Sequence, residues 1–435
     1  MSGSRRRSRP PWRWMVLLSK AGISFLGLGL LKALGVFIPW FVRDLDTSVS
    51  AVGTLASIYG GLCSVLAPVA TAMTFLGARP LVIVGGAVMS LATMAAATSP
   101  TVVWLAIWIS VSSAGQTFTV VSTLKPLMDY FPDTFASCIG LCFALGTLGM
   151  MTLPPLSEWL IELYGWRGAL CLLGAVNLNV VVCGALLRPL SGREDYQELK
   201  QDGREETTGK EGGRCSFLAS LRDRFDTSLL ADEPAFLLHL VASFLVGAVY
   251  NGWQLFLVPR AESLGYGARE ASFLSTFGGL GSLVGRLANG VLADSGLVPA
   301  AAQMALASGL VAASSLLDPL AVGSFAALAG LAVVTGVGIG FTYPLTIVLV
   351  RENIREDRQM AAFGWLYLFL GCGQIFGGYV SGGVYDASRD YELVFIIYGV
   401  LSIAVVPFVL STKLAKLCGS EPGHQTSELF ATNSH

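Results

Sequence analysis

Twelve stretches of the chain, each about twenty residues long, are apolar on every side and almost free of charge. The first runs from Met15 to Val42 and the last from Leu393 to Ser411. A helix of that length spans the hydrocarbon of a bilayer, and only closed backbone hydrogen bonding survives there. Composition agrees: 53% of the 435 residues are hydrophobic and 13% are charged, about half the charged share of a soluble domain. The chain is therefore read as an all-α polytopic membrane protein whose first environment is the lipid bilayer. Six spans precede and six follow one long polar segment. The expected organisation is a basic amino-terminal segment (1–14), a six-helix bundle (15–187), a central loop (188–233), a second six-helix bundle (234–412) and a tail (413–435). The loop is charged at 19 of its 46 positions and poor in aliphatic residues, so it is expected to be partly disordered.

Charge also orients the chain. Of 28 Lys and Arg residues, twenty fall on the side of the termini and the central loop if both termini share one face. Five (Arg43, Arg167, Arg260, Arg269, Arg389) fall on the other side, and Lys20, Lys32 and Arg286 lie within spans. The termini are thus expected in the cytosol. The start RRRSRPPWRW is followed by a full span and reads as a cytosolic anchor rather than a cleaved leader. Six of the eight cysteines (63, 138, 142, 171, 183, 372) sit in apolar runs without paired spacing, as small core residues. No basic patch is interleaved with aromatic residues, so nucleic acid is not an expected partner. Paired aspartates, a metal cluster and a nucleophile motif are missing as well; no enzyme activity, metal or cofactor is expected.

The halves repeat each other. IYGGLCSVLAP (Ile58 to Pro68) aligns without gaps to TFGGLGSLVGR (Thr276 to Arg286), each in the second span of its half. VSSAGQTFT (Val111 to Thr119) likewise matches VTGVGIGFT (Val334 to Thr342) in the fourth spans. A parallel 6+6 repeat around a central loop points to the major facilitator fold, with a site near the midplane between the halves.

Two cations within the spans are candidates for that site. Lys32 is about 16 Å from the outer end of its helix, close to mid-depth, beyond easy snorkelling, and costs roughly 2.5 to 3.5 kcal/mol unless it is used. Arg286 aligns with Pro68 in the first half, so it is not part of the shared scaffold; it either belongs to a site or braces the helix end against Asp294. No Asp or Glu lies within a span away from the helix ends. Two buried cations without an internal anion invite one from outside, and a carboxylate would suit a bidentate arginine. Other polar groups at depth are Gln116 with Ser112 and Ser113, Tyr250 with Asn251 and Gln254, Tyr343 with Thr335, and Tyr367 with Gln374. His239 reads as an interior residue.

In their order along the chain, several fragments resemble the monocarboxylate transporters of the major facilitator superfamily: PWRWMV, LLKALGVF, LGARPLVIVGG, DYFPDTFASCIGLCFALGTLG, LYGWRGALCLLGA, ALLRPL and FLVPRAESLGYGAREASFLSTFGGLGSLVGRLANGVLAD. The resemblance implies a plasma-membrane carrier in which Lys32 and Arg286 engage a substrate carboxylate. It also implies a single-span immunoglobulin-type ancillary glycoprotein as a partner. The chain departs from the family at three places: Ser282 stands where proton-coupled members place an aspartate, Arg9-Pro10-Pro11 replaces an acidic-Gly-Gly lead, and Pro132-Asp133 replaces a basic pair. Proton symport would need a titratable acid that the spans do not offer, unless Lys32 itself cycles its proton. The expected function is a secondary transporter of small monocarboxylates or related organic solutes. The substrate-binding candidates are Lys32, Arg286, Tyr250, Asn251, Gln116, Tyr343 and Tyr367. Two alternatives stand beside it: a carrier of zwitterionic, amino-acid-like or creatine-like solutes without proton coupling, and a transport-inactive sensor or scaffold that binds a partner through the 188–233 loop.

Overall fold

A computed structural model describes residues 12–47, 59–188 and 225–419, without the side chains of 268–269 and 412–419. The amino-terminal segment before residue 12, the outer part of the second span and most of the central loop lie outside the described residues, so the expectation of disorder in that loop does too. The described residues are helical with no strand among them. The spans are α1 (Arg13–Asp44), α2 (Tyr59–Val65 and Ala67–Leu76), α3 (Ala78–Ala96), α4 (Val102–Tyr130), α5 (135–164), α6 (166–186), α7 (Pro234–Ser263), α8 (Ala268–Asp294), α9 (Ala300–Leu317), α10 (Phe325–Asn353), α11 (Gln359–Ser388) and α12 (Tyr391–Gly419).

Apolar length and composition alone pick out nine of these helices, or ten with the bent pair of α2. Two observations complete the twelve. The continuous helix Phe135–Asn177 is broken at Gly165, whose φ of 68° only glycine adopts at no steric cost, so it holds two spans joined by a tight reversal. The other is α8, 27 residues long, whose apolar average is diluted by the charges it carries.

Prolines shape the helices that matter for the site. In α1, Pro39 cannot donate to the carbonyl four residues back, and the helix tightens to a 3-10 turn over Leu34–Phe37 just after Lys32. In α2, Pro68 opens the second segment and the two segments meet at 41°. The residue that aligns with Arg286 in the repeat is therefore the one that bends α2.

The halves meet through α2 on α11 and α5 on α8. Both crossings are close approaches of backbone. A Cβ at Gly364 of α11 would come within 2.9 Å of Pro68 Cα, and one at Gly140 of α5 would come within 2.5 Å of the Arg286 carbonyl oxygen. These are equivalent positions in the repeat, so the same glycine-on-backbone contact occurs twice. Both lie toward the inner end, the end of the molecule that carries the amino-terminal basic residues and that the sequence leads one to expect in the cytosol.

At that end α5 receives its cap from the other half. Its own N-cap residue, Thr134, makes no side-chain capping bond. Instead the Asp294 carboxylate, at the last turn of α8, accepts from the backbone N–H groups of Ala136 (3.1 Å) and Ser137 (2.6 Å). A carboxylate at a helix N-terminus satisfies orphan donors and complements the helix dipole, worth about 0.3 to 1 kcal/mol at the surface and more when partly buried. Arg351 of α10 adds a bond to the Pro132 carbonyl. The structure is thus closed at its inner end. Within the second half, Arg358 clamps the segment before α7: its guanidinium bonds both oxygens of Asp226 (2.5 and 2.6 Å) and one of Asp232 (3.0 Å). That hydrogen bonding holds the Asp226 carboxyl below its usual range.

Candidate functional site

Above the inner contacts the two halves enclose a cavity of about 90 Å³. Its described walls come from α1 (Lys20, Ser24, Leu28), α2 (Tyr59, Cys63), α4 (Gln116), α5 (Phe143), α7 (Tyr250), α8 (Arg286), α10 (Tyr343) and α11 (Tyr367, Gln374), among others, and no Asp, Glu or His is among these described residues. Both halves contribute, as expected of a site that opens alternately to either side.

Arg286 is 2% exposed. One terminal nitrogen donates to the Phe143 carbonyl (2.8 Å) and to the Thr147 hydroxyl (2.6 Å), both on α5, and the guanidinium carbon lies 5.6 Å from the Phe143 ring centroid. Its Nε has no partner, and no described carboxylate pairs with it. Asp294 is engaged at the α5 N-terminus instead, so Arg286 does not brace the helix end against it. A buried guanidinium held only by a carbonyl and a hydroxyl has no counter-charge, and burying an ion unpaired costs several kcal/mol. Aromatic residues frame it: Phe143 packs edge-on to Tyr343 (5.4 Å between centroids), which in turn contacts Tyr250 (5.1 Å). Across the cavity the Tyr59 hydroxyl donates to Gln116 Oε1, and the Tyr367 hydroxyl has no partner among the described residues.

The profile of the Major Facilitator Superfamily matches residues 21–322 and 301–417. Monocarboxylate transporter 13 of Rattus norvegicus is 32% identical over 404 residues, covering 92% of this chain and 89% of that protein. The chain belongs to the monocarboxylate transporter family. The Bos taurus protein of the same name is 31% identical over 429 residues (97% and 95% covered), and monocarboxylate transporter 11 of Mus musculus is 27% identical over 394 residues (89% and 84%). Two solved structures share the transporter's fold: the proton:xylose symporter XylE bound to 6-bromo-6-deoxy-D-glucose, with TM-score 0.69, 14% identity and 92% and 95% coverage, and FucP in the outward conformation, with TM-score 0.65, 16% identity and 91% and 98% coverage. It is accordingly a multi-pass membrane transporter of the major facilitator fold rather than an enzyme.

Among the candidates read from the sequence, Arg286, Tyr250, Gln116, Tyr343 and Tyr367 are brought together around this transporter's cavity. Asn251 and Lys32 are not among its lining residues. Asn251 turns away: its Nδ2 donates to the Gln374 backbone carbonyl (2.8 Å), tying α7 to α11 behind the wall. Lys32 lies one turn beyond Leu28, about 40° further round the helix, so it flanks the outer margin of the cavity stripe of α1. It is half-buried and has no hydrogen-bond or ion-pair partner among the described residues. Ser282 faces α10, where glycines at 336 and 340 let that helix ride on its backbone. His239 bonds the Thr346 carbonyl at 3.0 Å inside the second half.

Sequence reasoning missed Lys20 and Tyr59. Lys20 is 2% exposed and its ammonium donates to the Val120 carbonyl of α4 (2.8 Å). The available signal was the Lys20, Ser24, Leu28 series at helical spacing, which places the lysine on one face with a small polar residue. The buried Arg260–Asp318 ion pair (3.1 Å), which joins α7 to the 3-10 turn after α9, was also missed, because α7 continues past Val258 to Ser263.

Proposed function

We propose that this transporter moves small monocarboxylates or related organic anions across the plasma membrane by alternating access of its two six-helix halves (15–187 and 234–412), with both termini in the cytosol and with Arg286 and Lys32 engaging the anionic group. The observation that carries the reading is the setting of Arg286: a guanidinium buried in a cavity shared by both halves, with an unpartnered Nε and no Asp or Glu among the described lining residues. A carboxylate supplies the missing charge and the acceptors that a planar fork recognises. The names of its relatives agree with this. Lys32, at the outer margin, draws the anion into the cavity and meets it first. An ammonium-bearing zwitterion fits less well, since the same walls already hold Lys20.

Uptake of a carboxylate panel into proteoliposomes, with amino-acid-like zwitterions beside it, tests the assignment. Saturable uptake of carboxylates in preference to zwitterions is expected; the reverse preference would overturn it. Lys32→Gln is expected to lower the uptake rate at least about tenfold at unchanged membrane level, because a charge that costs a few kcal/mol is then absent from its task; wild-type rates in that variant would remove Lys32 from the mechanism.

A proton carried with the anion needs a group in the translocation path that titrates; the described walls offer no carboxylate or histidine, and Ser282 is packed against α10. If the amines, Lys20 in the wall and Lys32 at its margin, stay charged through the cycle, uptake of a carboxylate fully ionised across the range is expected to change by less than about twofold between external pH 6 and 8. A steep rise on acidification, with one proton per anion, would show that another group carries it.

A further inference from the structure

The proposed anion site leaves one buried charge unused. Lys20 lines the same cavity as Arg286, at about 18 Å further in along α1 than Lys32. We infer that Lys20 forms a second cationic subsite and that the substrates of this transporter are small dianions: dicarboxylates, or carboxylates carrying a second acidic group. This rests on the anion-carrier reading and narrows it.

Placement comes first. Lys20 and Arg286 approach the same short piece of α5 from different sides. Arg286 bonds Phe143 and Thr147 there, while Ser24, one turn along from Lys20, has its carbonyl against Gly146, where a Cβ would come within 3.2 Å. Helices packed on a common neighbour have axes some 8 to 10 Å from it, so the two side chains enter the cavity from separate walls. A ligand filling 90 Å³ between them touches both.

Donor arithmetic comes second. An ammonium has three donors and Lys20 uses one, on Val120. Arg286 Nε and the Tyr367 hydroxyl have no partner among the described residues although both are buried. The cavity therefore presents unpaired buried donors on both of its sides, and carboxylates are acceptor-only groups with about four lone-pair directions each. Charge balance comes third. Two basic side chains share a poorly solvated volume with no Asp or Glu among its described lining residues. A monoanion neutralises one and leaves the other buried and unpaired, the costly situation for an ion in a protein interior; a dianion neutralises both.

The test compares matched acids on purified protein in proteoliposomes at pH 7.4: malonate with propionate, succinate with butyrate, glutarate with valerate. At least one diacid is expected to be transported with a KM about tenfold or more below that of its monoacid, equivalent to about 1.4 kcal/mol. Lys20→Gln is expected to reduce that preference at least fivefold, chiefly by raising the diacid KM, and Lys20→Arg is expected to retain it. Monoacids preferred at every chain length would overturn the inference, as would a preference that Lys20→Gln leaves intact. Should the glutamine variant fail to reach the membrane, the wild-type ratios and the arginine variant decide. The two levels of the reading separate cleanly. Uptake of monoacids without diacids sinks the Lys20 subsite alone, whereas no uptake of either class, and no thermal stabilisation by either, sinks the anion-carrier reading and this inference with it.

Discussion

Arg286→Lys is expected to lower kcat/KM for a transported carboxylate tenfold or more, on the order of 1.4 kcal/mol, while the protein still folds and reaches its membrane. The buried charge is conserved, which is why folding survives. What is lost is geometry. In the structure one terminal nitrogen is committed to Phe143 and Thr147 of α5, leaving Nε and the rest of the fork for a ligand. A lysine can keep the contact with α5 or reach the ligand, and its point charge cannot present two parallel N–H groups to a carboxylate. The loss is therefore expected in substrate affinity and rate together, and Arg286→Gln, which also removes the charge, is expected to lose more. Uptake by the lysine variant within about twofold of wild type would show that the guanidinium serves α5–α8 packing rather than substrate. A Thr147→Val control separates those roles, because it removes a structural acceptor of Arg286 and leaves the fork.

Much of this architecture is legible in the chain because the membrane leaves few choices. Twelve apolar runs read from the sequence fall on twelve helices, most described ends agreeing to within four residues while α4, α5, α7 and α12 run five to eight residues further. They include α8, whose charges hide it from a simple apolar average but which the repeat with IYGGLCSVLAP identifies. Arg286 was legible for a related reason: a charge that costs several kcal/mol in hydrocarbon is conspicuous, and its repeat partner is a proline. Azimuth was harder to read. Asn251 adjoins Tyr250 in sequence, yet successive helical residues are 100° apart, and only the packing of α7 against α11 shows which of the two turns to the cavity. Lys20 and Lys32 pose the same question on α1. Hydropathy treats them alike, whereas the positions of α2, α4 and α5 around α1 put the first inside the cavity wall and the second at its margin. Least legible was the closure of the inner end. Asp294 lies at a helix end where a carboxylate is unremarkable in sequence, and its partners are backbone N–H groups 157 and 158 residues away.

That closure yields the remaining large effect. Gly140→Val is expected to leave the protein folded but to reduce uptake about tenfold to a hundredfold by disfavouring the inner-closed state. The missing Cβ of Gly140 sits 2.5 Å from the Arg286 carbonyl oxygen and 3.4 Å from Gly290 Cα, so any side chain there meets backbone of the other half that cannot swing aside. Overpacking of this kind costs about 1 to 3 kcal/mol, and each 1.4 kcal/mol moves a two-state equilibrium tenfold. The clash exists only while α5 and α8 are packed at their inner ends; in the inner-open state the valine faces water or a loosened interface, and the helices keep their other neighbours. Cys138, half a turn from Gly140 and buried in the closed arrangement, reports the difference. With a membrane-impermeant maleimide supplied at the inner face, labelling of Cys138 is expected to rise at least about fivefold in Gly140→Val over wild type, and Asp294→Asn, which weakens the cap on α5 without a clash, is expected to fall between them. Lost uptake with Cys138 still protected would mean that the valine disrupts packing within the first half, and that the α5–α8 contact is scaffold rather than a gate.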